Sequence, residues 1–86
     1  MIFVYEIIFT AKAKKQFGKF NKTIQQRIDN SLKRIRIRPE AYITRLVGEQ
    51  IYKFRIGDYR ILMDIDNGKL IILIIKIAHR KEVYKF

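Results

Sequence analysis

The spacing of apolar and polar positions changes twice along the chain. In "IFVYEIIF" (2–9), Phe3, Tyr5, Ile7 and Phe9 fall on one side of an extended backbone, and the β-branched and aromatic content predicts a first strand. Thr10 is a helix-capping residue type, and after it Ala13, Phe17 and Phe20 recur at helical spacing among lysines. A short amphipathic helix is expected there, broken near Gly18. Asn21 can cap a second helix with Ile24, Ile28, Leu32 and Ile35 as its apolar stripe, and Pro39 ends that segment.

Residues 40–49 ("EAYITRLVGE") read as a connecting loop. The period then becomes two over 50–56 (QIYKFRI), 59–66 (YRILMDID) and 69–77 (KLIILIIKI), with Gly57-Asp58 and Asn67-Gly68 between them. Asn-Gly between alternating apolar residues is the strongest short hairpin signal, so the three runs predict an antiparallel meander. "LIILII" is apolar on both faces, which places its strand inside the sheet, covered on each side over part of its length. The order strand, helix, helix, three strands and a short tail predicts one α+β domain over residues 1–86. Its helices should pack on one face of a mostly antiparallel sheet.

The turn at Gly57-Asp58 fixes a register. Ile56 pairs with Tyr59, Arg55 lies opposite Arg60, and Lys53 shares their face. Tyr52, Phe54, Ile56, Tyr59, Ile61 and Met63 point the other way, under the helices. Like charges directly opposite one another destabilise a sheet by up to about 1 kcal/mol. A solvated face neutralised by Asp58 or Asp64 is one explanation. A cluster that grips phosphate is the better one, because guanidinium forks match phosphate oxygens in geometry and charge. Leu62, Asp64, Ile71, Leu73 and Ile75 follow on the same face by alternation, giving the cations an apolar floor that suits unstacked bases or an amphipathic peptide.

Composition adds partners and removes chemistries. Hydrophobic residues make up 49% of the 86, which excludes a disordered chain and suffices for one small core. Nineteen Lys and Arg against eight Asp and Glu give a net charge of +11, and a field of that sign draws in polyanions. Ten of the cations lie between Lys12 and Arg38 with Asp29 as the one acid, so the helix pair is either an ordinary solvated surface or an electrostatic docking face. The lack of cysteine excludes a disulfide framework and a thiol nucleophile, and a single histidine makes a metal centre or cofactor unexpected. The apolar stretch 2–9 contains Glu6 and is too short for a signal peptide or a membrane span, so a cytoplasmic protein without a membrane partner is expected.

The closing "AHRKEVYKF" reads by itself as a frayed basic tail. It leaves the last strand near Arg55 and Arg60, and in one helical turn Arg80 and Tyr84 point the same way.

"YKFRIGDYRILMDI" (52–65), "HRKEVY" (79–84) and "RLVGE" (45–49) together resemble the toxins of the RelE/ParE superfamily, in particular archaeal and short bacterial RelE-type members. The resemblance runs along almost the whole chain. It implies a RelE-like fold and a ribosome-dependent endoribonuclease that cuts messenger RNA in the A site and is held inactive by a cognate RelB-like antitoxin, small and acidic. By position it implies Lys53, Arg55, Arg60, Arg80 and Tyr84 as catalytic residues, with His79 at a site where some relatives carry Lys.

RNA can be cut without metal by its own 2′-hydroxyl, given a base, an acid at the leaving 5′-oxygen and positive charge around the phosphorane. A cationic cluster would stabilise the transition state, with Tyr84 or a lysine as base and Arg80 or His79 near the leaving group. Lys12, Lys14, Lys15, Lys19, Lys22, Arg34 and Lys81 are candidates for binding ribosomal RNA or the message. Two other readings stay open: a ParE-branch toxin that poisons DNA gyrase by binding and cuts no RNA, and a basic RNA-binding module without chemistry.

Overall fold

A computed structural model describes residues 4–45 and 51–79. They form strand β1 (Glu6–Phe9), helices α1 (Ala11–Gly18) and α2 (Lys22–Ile35), a 3-10 turn (Pro39–Ala41), and strands β2 (Thr44–Arg45), β3 (Tyr52–Ile56), β4 (Tyr59–Asp66) and β5 (Ile71–His79). The sheet order is β1-β5-β4-β3-β2, with β1 parallel to β5 and the other pairs antiparallel. The architecture is the expected α+β one, two helices on one face of a mixed sheet, and β5 lies inside that sheet.

The expected caps are formed. Thr10 Oγ1 accepts the Ala13 N–H at 3.1 Å, and Asn21 Oδ1 accepts the Ile24 N–H at 3.0 Å. From the stripe of α2, Ile28, Leu32 and Ile35 are buried against Phe54, Ile56, Ile61, Met63, Ile72, Ile74 and Ile77 of the sheet. Tyr5, Ile7 and Phe9 pack on this core as the alternation of the first run requires; Phe3 lies outside the described residues. Tyr5 is tied to the end of α2 by its N–H to Arg36 O and by Arg36 Nε to its own carbonyl, both at 2.9 Å.

Three sequence expectations are corrected. The loop expected over 40–49 contains β2, because half-buried Ile43 packs on the core and draws Thr44 and Arg45 along the bare edge of β3. The second hairpin is not a two-residue Asn-Gly turn. Asp66 closes it against Ile71, Asp66 Oδ1 accepts the Lys69 N–H at 2.9 Å, and Leu70 takes φ +55°. The turn is therefore four residues wide, and β5 runs two residues further than expected.

The third correction reorders a face. A bulge opposite Leu62 and Met63 breaks the alternation of β5: Leu62 pairs with Lys76, and Met63 with Ile74. Ile75 is the extra residue and leaves the frame in which it accompanied Leu62. Simple alternation from Ile72 and Ile74 would turn Lys76 into the core, and an ammonium there is prohibitively expensive. The bulge turns Lys76 away and restores Ile77 to the core.

Candidate functional site

The first meander turn matches its sequence. Gly57 has φ +55° and Asp58 does not share that sign, the pattern of a type II′ hairpin in which the first central residue needs glycine. Ile56 pairs with Tyr59, and Arg55 with Arg60, as the two-residue turn requires.

Two rows then cross the face turned away from the helices. One holds Arg55, Arg60 and Ala78; the next holds Lys53, Leu62 and Lys76. Cross-strand partners share a face at about 4.8 Å between strands, so Lys53 and Lys76 flank Leu62 some 10 Å apart. Leu62 is fully buried although it faces away from the helices, so the apolar floor is real and covered. Further along, Asp64 pairs with Leu73 and Asp66 with Ile71, also on this face.

Arg60 is the unusual member. It is 7% exposed, the one buried charged residue among those described, and its Nε and Nη1 have no hydrogen-bond partner. Leaving such donors unmet costs on the order of 1–3 kcal/mol, more for a charged group. Neither Asp58 nor Asp64 reaches those nitrogens. Arg55 is exposed, and its Nε donates to Gly57 O at 3.3 Å. A half-buried lysine and two guanidiniums, one with unmet donors over an apolar floor, make a receptor for an oxyanion such as phosphate.

His79 is separated from these cations. The bulge places it opposite Tyr59 on the helix side, where its ring meets that of Tyr59 edge-on at 5.8 Å. It borders a cavity of about 260 Å³ with Gln16, Lys19 and Phe20. Lys12, Lys14, Lys15, Lys19, Lys22 and Arg34 are all exposed on the helix layer, across the sheet from Arg60. Arg80, Lys81 and Tyr84 lie outside the described residues.

Sequence reasoning missed Lys76. The signal was present, since a lysine at core parity inside "LIILIIKIA" demands a frame change. It also missed the two side chains that hold the change. Thr10 Oγ1 donates to Ile75 O at 3.1 Å, and Gln16 Oε1 accepts the Ile77 N–H at 2.8 Å. Beyond Phe9, α1 thus replaces β1 as the hydrogen-bonding neighbour of β5.

The two-helix layer over a mixed five-stranded sheet is a fold that this chain shares with solved RelE toxin structures. A family model for the ParE toxin of type II toxin-antitoxin systems, parDE, matches residues 7–84, and the chain belongs to that family. It is a toxin of a type II toxin-antitoxin system. Among solved structures it is similar to the RelBE2 toxin-antitoxin complex of Mycobacterium tuberculosis, at 25% identity and TM-score 0.77 over 90% of this chain and 99% of that one. The archaeal RelE-RelB complex of Pyrococcus horikoshii OT3 shares the fold at 21% identity and TM-score 0.76, over 90% and 96%. So does the YoeB/ParE toxin of Agrobacterium tumefaciens, at 12% and 0.75, over 86% and 96%. Comparison with curated proteins gives no sequence match. No described helix is long and apolar enough to cross a membrane.

Proposed function

We propose that this toxin is a ribosome-dependent endoribonuclease that cuts messenger RNA in the A site by metal-free attack of the 2′-hydroxyl, and so inhibits translation in the cytoplasm. The observation that carries the reading is the buried Arg60 guanidinium with Nε and Nη1 unmet, beside Arg55 and Lys53. Those donors are oriented before substrate arrives, which is what stabilises charge that develops in a transition state.

In the reaction the 2′-oxygen bonds to phosphorus as its proton passes to a base. The P–O5′ bond breaks and the leaving oxygen takes a proton, giving a 2′,3′-cyclic phosphate and a 5′-hydroxyl. Lys53, Arg55 and Arg60 hold the phosphorane oxygens. Tyr84 or a lysine is the base and Arg80 stands at the leaving group, roles that rest on the family pattern. His79, on the helix side of β5, is left out of proton transfer.

The solved RelE-RelB complexes support a RelB-like antitoxin as this chain's partner, and the net charge of +11 is the reason to expect it to be acidic. A second reading is favoured by the family match, which is to a ParE toxin model: a ParE-branch toxin that poisons DNA gyrase by binding and cuts no RNA. Primer extension on ribosome-bound message separates the two. The nuclease reading expects new 5′ ends with wild type and none with Arg60→Ala or Arg80→Ala. Intact messages with arrested replication and DNA damage would establish the gyrase reading; ribosome binding without cut ends would leave a non-catalytic RNA-binding module.

A further inference from the structure

The bulge gives Lys76 a fixed place rather than an incidental one. The backbone groups on either side of it are each held by a side chain from the start of the helix layer: Ile75 O by the Thr10 hydroxyl, and the Ile77 N–H by Gln16 Oε1. Between these anchors the Lys76 backbone cannot rotate its side chain back under the helices. Its cross-strand partner is Leu62, and the residue opposite Arg60 is Ala78, whose single methyl puts no long side chain between Arg60 and Lys76. Lys76 therefore stands diagonal to Arg60, with Cα atoms roughly 7–8 Å apart. A lysine side chain spans that distance to reach an anion held on the guanidinium.

We propose that Lys76 is a further catalytic cation of this site, donating to a non-bridging oxygen of the phosphate that Arg60 holds. Lys53 then approaches the phosphate from the β3 side and Lys76 from the β5 side, the two strands that flank Leu62. The assignment rests on the nuclease reading and extends it.

The test is single-turnover cleavage of message on ribosomes by Lys76→Met and Lys76→Arg, with ribosome affinity and thermal unfolding measured alongside. Lys76→Met is expected to slow cleavage by at least about tenfold at unchanged ribosome affinity, and Lys76→Arg to restore most of the rate. Cleavage by Lys76→Met within about twofold of wild type would overturn the proposal. A second measurement does not depend on catalysis: the Lys76 ammonium and Arg60 Nε–H NMR signals of the wild-type protein are followed as a 2′-deoxy dinucleoside phosphodiester is added. Both signals moving together supports the contact even if the wild type cuts no message and the nuclease reading fails. Movement of Arg60 alone, or of neither, overturns it.

Discussion

Arg55 and Arg60 stand directly opposite each other on β3 and β4, and Arg60 is buried with two nitrogens unmet. Both features work against folding: the repulsion by up to about 1 kcal/mol, and each unmet donor by about 1–3 kcal/mol. Arg60→Met keeps the length of the side chain and removes both penalties. It should raise the melting temperature by several degrees, since about 1 kcal/mol shifts a domain of this size by roughly 4–8 °C, while ribosome-dependent cutting is lost. Thermal unfolding by circular dichroism checks the first half. A fall in melting temperature would show that Arg60 stabilises the free protein and was not held ready for an anion.

The turn that sets this register depends on Gly57. Its φ of +55° costs a residue with a Cβ about 1–2 kcal/mol, and a Cβ there would come 2.8 Å from Arg27 Nη2. The second problem is cheap to relieve, because the atom is the far end of a flexible side chain. Gly57→Ala should therefore lower the urea midpoint, and adding Arg27→Ala should recover little of it. Full recovery in the double variant would assign the loss to the Arg27 contact and not to the backbone.

Thr10 has two jobs that one isosteric change removes. Its hydroxyl accepts from the Ala13 N–H and donates to Ile75 O, so Thr10→Val loses the α1 cap and one anchor of the bulge. Together these should cost about 2 kcal/mol, whereas Thr10→Ser keeps both bonds and should stay within about 0.5. Chemical denaturation of the two variants gives the comparison. Equal stability of Val and Ser at this position would reject the role.

The parts of this fold that could be read from the sequence are those fixed by short-range rules. Thr10 and Asn21 announce their helices, the Ile24-to-Ile35 stripe its buried face, and Gly57-Asp58 the register that brings Arg55 opposite Arg60. Lys53, Arg55 and Arg60 were therefore legible as one cluster. The errors lie where one element answers to another. β2 forms because β3 has an edge to fill, the second hairpin widens because the Asp66 side chain takes a backbone donor, and the bulge is held by groups some sixty residues away in the chain. That last dependence put Lys76 on the cationic face and His79 on the helix side, which no count by twos along β5 could show.

The helix layer supplies the last prediction. Lys12, Lys14 and Lys15 are exposed on α1, on the opposite side of the sheet from Arg60, and under the proposed function they would meet ribosomal RNA while the far face held the message. Charge reversal of all three to glutamate should weaken ribosome binding and flatten its salt dependence. The slope of log affinity against log salt should fall by about one for each lysine that meets a phosphate. The rate of cutting within the bound complex should change little, because none of the three shares a face with the phosphate site. Sedimentation with ribosomes across a salt series measures the slope, and single-turnover cleavage at saturating ribosome measures the rate. An unchanged slope would return these lysines to a solvated surface, and a loss of rate without a loss of affinity would mean that the two faces are coupled through α1 and the bulge it holds.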